Sequence, residues 1–130
     1  MIQTTTVGTD MDILSTGDIS GNFEICFCTT GQLQFWWRLG ATGYSTGCVG
    51  TVLNDNNWHT VLVTYDGTTL TLYEDGIFQY TTNISPSEMN TFGNSYNAIG
   101  VGYIYSNFIG ALNFVVFYDY VVSYSNGNNL

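Results

Sequence analysis

Between Gln32 and Leu39 the chain reads QLQFWWRL, and nearly every second residue is apolar. On an extended strand Leu33, Phe35, Trp37 and Leu39 fall on one side, and Gln32, Gln34, Trp36 and Arg38 on the other. The same two-residue period recurs in FEICFCT, where Phe23, Ile25 and Phe27 oppose Glu24, Cys26 and Cys28. It continues through HTVLVTY, TLTLYE and IFQYTTNI. A helix needs a period near 3.6, which this chain hardly shows. Period two is the signature of a sheet packed on one side.

The corners agree with that reading. Asp66-Gly67 and Asp75-Gly76 stand between alternating runs, where Asp-Gly supplies the backbone conformations of a tight hairpin turn. Asp66 and Asp75 are therefore turn residues first and ligands second. The NDNN before Trp58 is a loop, because Asn and Asp satisfy their own backbones there. GATGYSTGCVGT reads as a turn and a short strand from Val49 to Leu53. NAIGVGYIY and FIGALNFVVFYDYVV supply the last strands. In the latter Leu112, Val115 and Phe117 are the positions expected in the core, with a β-bulge between Leu112 and Val115. About nine short strands, with no helix long enough for a crossover, predict an all-β fold. The expected form is an antiparallel two-sheet β-sandwich (jelly roll) with little or no helix. One domain over residues 1–130 is expected, with 1–20 the least defined by pattern and 124–130 a fraying tail.

Charge narrows the partners. Ten acids face one basic side chain, Arg38, for a formal net charge of −9. Nucleic-acid binding relies on Lys and Arg against phosphates, so it is not expected. Docking on an anionic membrane is disfavoured for the same reason, and no apolar run approaches the ~18 residues of a membrane span. The start, MIQTTTVGTD, has neither the basic region nor the apolar core of a secretory signal. That suggests either removal of a signal or release by another route, as for a virion component.

Cys26, Cys28 and Cys48 make an odd count. Cys26 and Cys28 share a strand face too far apart for an easy mutual disulfide. Three buried thiols, or one of them bridged to Cys48 in an oxidising setting, are both open. A zinc site with His59 lacks ligand-pair spacing.

Trp58-His59, then Thr64-Tyr65-Asp66-Gly67, then Leu72-Tyr73-Glu74-Asp75-Gly76 form a pattern. Farther on come Ile99-Gly100, Phe108-Ile109-Gly110-Ala111-Leu112, and Val115, Phe117 and Tyr118. Together these resemble the laminin-G-like and pentraxin-like group of the concanavalin A-like lectin/glucanase superfamily. The resemblance spans Asn56 to Ser123, with GNFEICF joining loosely. It implies a jelly roll in which Trp58 plugs the core edge and His59 bonds across to a loop. Asp66, Gly67, Asp75, Gly76 and Gly110 are then structural. Glycan binders, adhesion modules, enzymes and structural domains share this fold, so it does not choose among them.

No catalytic set is expected. His59 has no second histidine and no nucleophile elbow beside it. None of the three glutamates, Glu24, Glu74 and Glu88, shares a strand face with another acid at i+2, as paired-carboxylate hydrolysis would ask. Calcium is the one cofactor considered, since Asp10, Asp12, Asp18, Asp55 and Asp119 lie in or near loops. For recognition Trp36 is the most informative residue, on the polar side between Gln34 and Arg38. An apolar sugar face suits an exposed indole flanked by an amide and a guanidinium. Tyr44, Tyr103 and Tyr105 are expected to rim that face, with Asn107 adding an amide. The expected function is a non-enzymatic, lectin-like module binding a glycan or glycoprotein surface, extracellular or on a virion. The alternative is a structural or decoration protein of a virion or extracellular assembly. There a homo-oligomer or larger partner would cover the aromatics.

Overall fold

The structure, a computed structural model, describes residues 1–18, 21–39, 41–85, 97–102, 105–118 and 121. Among them there are eleven strands and no helix. In chain order these are β1 (Ile2–Gln3), β2 (Met11–Asp18), β3 (Gly21–Phe27), β4 (Leu33–Leu39), β5 (Thr42–Val49), β6 (Val61–Tyr65), β7 (Thr69–Glu74), β8 (Ile77–Asn83), β9 (Asn97–Ile99), β10 (Ser106–Asn107) and β11 (Ala111–Leu112).

The larger layer has the order β10-β2-β3-β4-β5, with β9 also pairing β2. The smaller layer is β6-β7-β8, and β1 pairs separately with β11. Pairing is antiparallel apart from the two-residue β10–β2 contact. The all-β sandwich read from the period-two pattern is therefore the observed architecture.

Alternation in β4 does what it predicts. Leu33, Phe35 and Trp37 are buried, while Gln34, Trp36 and Arg38 are half-buried on the other side. Phe27 from β3 and Leu70 and Leu72 from β7 meet them between the layers, joined by Met11, Leu53 and Ile84. Burying each such side chain contributes roughly 1.5–3 kcal/mol. Phe27 also stacks on Phe108, ring centroids 5.9 Å apart, which ties the chain's later segment to β3.

The corner at Asp75-Gly76 shows why that dipeptide was chosen. Glu74 pairs with Ile77, leaving a two-residue turn with φ of 49° at Asp75 and 78° at Gly76. Two positive φ angles make a type I′ turn, whose twist matches that of the flanking strands. At the other corner Asp66 Oδ1 accepts from the backbone N–H groups of Thr68 and Thr69, at 2.9 and 2.7 Å.

Four expectations need correction. The second half of GATGYSTGCVGT is not where its strand lies: β5 runs Thr42–Val49, and residues 51–53 are outside any strand. Gly47, at φ 68°, absorbs one extra residue opposite Phe35, so the Gly-rich run bulges and still pairs. Val115 and Phe117 are 45% and 68% exposed instead of buried. Phe114 has φ 53°, which turns the backbone off the strand path beyond β11, so alternation no longer aims side chains at the core. Trp58 is 44% exposed and does not plug the core edge. Finally, β2 is a strand that period-two reading passed over. It carries a register shift between Asp12 and Leu14 that breaks the alternation. The expected tail, 124–130, lies outside the described residues.

Cys28 and Cys48 form a disulfide with Cα atoms 6.0 Å apart, and Cys26 stays a buried free thiol. The bridge links the end of β3 to the edge strand β5 across β4.

Candidate functional site: the outer face of β3, β4 and β5

The register lays the polar side of the larger layer out as a grid. Across β3, β4 and β5 one row is Glu24, Trp36 and Ser45, and the next is Cys26, Gln34 and Cys48. Arg38 pairs with Gly43 on β5. Gln34, Trp36 and Arg38 therefore stand in line on one strand face, as their spacing predicts.

Trp36 lies against the neighbouring strand. A Cβ at Gly43 would stand 3.0 Å from Trp36 Cζ2, so the bare glycine is what lets the indole settle over β5. Gln34 is fixed too: its Nε2 donates to Ser45 Oγ at 2.7 Å, and Ser45 Oγ accepts from Gly47 N at 2.8 Å. Arg38 is the exception. Its side chain makes no hydrogen bond or ion pair among the described residues, and its Nε is buried.

The remaining sugar-site expectations divide. Tyr44 is on the opposite side, packed flat on Trp37 with ring centroids 5.8 Å apart, so it does not rim the Trp36 face. The one-residue shift of register in β5 is the reason: Tyr44 pairs with Trp37, not with Trp36. Tyr105 does come to the polar side, at the β2 end. Its N–H donates to Asp12 Oδ2 at 3.3 Å. Burial pushes its hydroxyl pKa up to about 12, helped by the nearby carboxylates of Asp10, Glu24 and Asp12. Asn107, in β10, is committed to the segment before it, its Oδ1 accepting from Gly102 N at 3.0 Å. Tyr103 lies outside the described residues.

The described acids considered for calcium do not all come together. Asp10 Oδ1 accepts from Thr29 N at 2.8 Å, and Asp12 is fully buried. Asp55 is elsewhere, bonded to His59 Nε2 at 2.9 Å. Nothing is described of the Asp18 side chain or of Asp119. Among the described residues no three His, Cys, Asp or Glu side chains are placed to hold a metal ion.

One grouping was invisible in the sequence. Asp12 and Glu24 sit on neighbouring strands and share the polar side with Ser15 and Cys26, all of them fully buried. Burial and the nearby acids drive the Cys26 thiol pKa upward, which keeps it protonated. Cross-strand register brings these carboxyls together, and i+2 spacing could not have revealed it. Buried as they are, they reach no substrate from solvent.

His59 is held between two carboxylates. Asp75 Oδ2 is 2.7 Å from Nδ1, and Asp55 Oδ1 is 2.9 Å from Nε2. The expectation that this histidine bonds across to a loop is met at both nitrogens.

Two stacked antiparallel layers, with an indole laid on the outer side of one, are the framework of a lectin-like binding module. The chain belongs to the concanavalin A-like lectin/glucanases superfamily, its residues 2–126 matching the family Laminin_G_3. Laminin-G-like domains are generally non-catalytic binding modules, some relatives being glycosidases, and they are typically extracellular. No curated protein matches the chain.

Proposed function

We propose that the protein is a non-enzymatic recognition module that binds a glycan through the outer face of β4, working outside the cell or on a virion surface. The observation that carries this reading is Trp36 lying over Gly43. A ring seated on backbone offers its free side as a flat apolar platform at little entropic cost, which is what the C–H face of a pyranose needs. Arg38 stands two residues along the same strand face and supplies donors beside the platform. Gln34, held by Ser45, stiffens the other flank. Neither His59 nor the buried acids need act chemically, and no metal is required.

The test is Trp36→Ala on a glycan array beside a thermal melt. Loss of binding with an unchanged melting temperature supports the reading, and retained binding overturns it.

A second reading has its own support. Ile77 and Phe78 on β8 are 65% and 55% exposed, and Trp58 is also open to solvent. Apolar side chains in such number suit burial against another protein. A structural or decoration role in a virion or extracellular assembly, or a homo-oligomer, would provide it. Monomeric behaviour at high concentration, with no co-purifying partner, would count against it.

A further inference from the structure

We infer that the glycan taken by this face carries a single anionic group, a carboxylate or a sulfate, received by Arg38. The inference rests on the glycan reading above and deepens it by naming the class of sugar.

The argument starts from an imbalance. Ten acids share the chain with one guanidinium. In such company an arginine held by the fold for internal stability would be expected to bond one of them. Instead the ion pairs among the described residues belong to His59, with Asp55 and Asp75. Arg38 makes none, although Glu24 lies on the adjacent strand, opposite Trp36. Its Nε is shielded from solvent with no acceptor. The half-buried guanidinium is left to offer its outer nitrogens to a partner from solvent, and a planar pair of donors matches the two oxygens of a carboxylate or sulfate.

Position makes the match specific. Residues two apart on a strand stand about 6.6 Å from one another on the same face. A sugar ring resting on Trp36 would therefore bring an acidic substituent at its edge within reach of Arg38. Lysine would not do the same, since a point charge lacks the fork.

The chain's own charge sets the limit on the ligand. At physiological ionic strength fields from distant acids are screened beyond about 8 Å, so a contact pair with Arg38 survives them. A densely charged polyanion, in contrast, would meet one cation and a net charge of −9. The ligand is thus an otherwise neutral glycan with one isolated anionic residue, not a polyanionic chain.

The test uses the full chain on matched glycans that share one neutral backbone and end in a neutral sugar, a uronic or other carboxylated sugar, or a sulfated sugar. Tenfold or greater preference for a carboxylated or sulfated member is expected, and comparing those two arms identifies the anion. Raising salt from low to high ionic strength should narrow that preference. Arg38→Gln should abolish the preference, so that neutral and acidic members bind alike even where overall affinity falls, and Arg38→Lys should restore part of it. Equal binding of neutral and acidic members, or a preference that persists in Arg38→Gln, overturns the inference but leaves the glycan reading standing. Binding to none of them overturns both. If Arg38→Gln fails to fold, the ratio and its salt dependence in the unaltered protein still decide.

Discussion

His59 Nδ1 lies 2.7 Å from Asp75 Oδ2, the side chain of the first residue in the type I′ turn between β7 and β8. The same carboxylate accepts from Thr60 N through Oδ1 at 2.8 Å. With Asp55 on the other ring nitrogen, the imidazole can donate to both neighbours only when it carries both protons. His59, just before β6, is thus an electrostatic rivet between a loop and a turn.

That rivet has a pH window. Enclosure of the ring lowers the His59 pKa, but the hydrogen bonds and charges of Asp75 and Asp55 outweigh it, and the net direction is upward from 6.5. Its stabilisation is complete below 6.5 and is lost as pH rises through the folded value. Asp55 runs the other way: the His59 hydrogen bond, with those from Asn57, lowers it from 3.8 to about 2. Its part is complete above 3.8 and is lost as pH falls through about 2. Thermal melts of the protein and of His59→Gln should therefore differ most between pH 3.8 and 6.5. The two curves should converge toward alkaline pH. A gap that widens above pH 8 would refute this account of the histidine.

Gly76→Ala should lower the unfolding free energy by about 1 kcal/mol or somewhat more, since a Cβ at φ 78° is strained. Urea titration measures it. An unchanged midpoint would mean that the turn had found another geometry.

The Cys28–Cys48 bridge spans 20 positions in sequence, for which loop-closure entropy implies a stabilisation of about 3 kcal/mol. Reductant, or Cys28→Ser paired with Cys48→Ser, should lower the denaturation midpoint accordingly. Thiol counting on the unfolded, unreduced chain should find one reactive group, Cys26. Three reactive groups would contradict the pairing.

Adjacent tryptophans should behave as opposites. Trp37 is 6% exposed and stacked on Tyr44, so Trp37→Ala should cost about 3–5 kcal/mol. Trp36 is on the polar side, and its removal should cost less than about 1 kcal/mol while affecting recognition. Equal destabilisation would place both in the core.

How much of this was legible follows from what each signal encodes. Period two specifies which face a residue takes on its own strand, so QLQFWWRL separated Trp36 from Trp37 without help. Asp75-Gly76 named its turn because few dipeptides tolerate two positive φ angles. Register is another matter, because it depends on the partner strand. The extra residue at Gly47 shifts β5 by one, and that sent Tyr44 to the core side, against expectation. The meeting of Asp12 and Glu24 is a cross-strand relation of the same kind. Val115 and Phe117 were misplaced because alternation says nothing of where the backbone leaves a ladder, as it does at Phe114.

Arg38 also decides how the molecule meets a protease that cleaves after basic residues. The chain offers it one bond, Arg38–Leu39, and that bond belongs to a strand hydrogen-bonded on both sides by β3 and β5. Nicking there demands that the layer's middle come apart, so tryptic half-life would report global opening with no contribution from frayed loops.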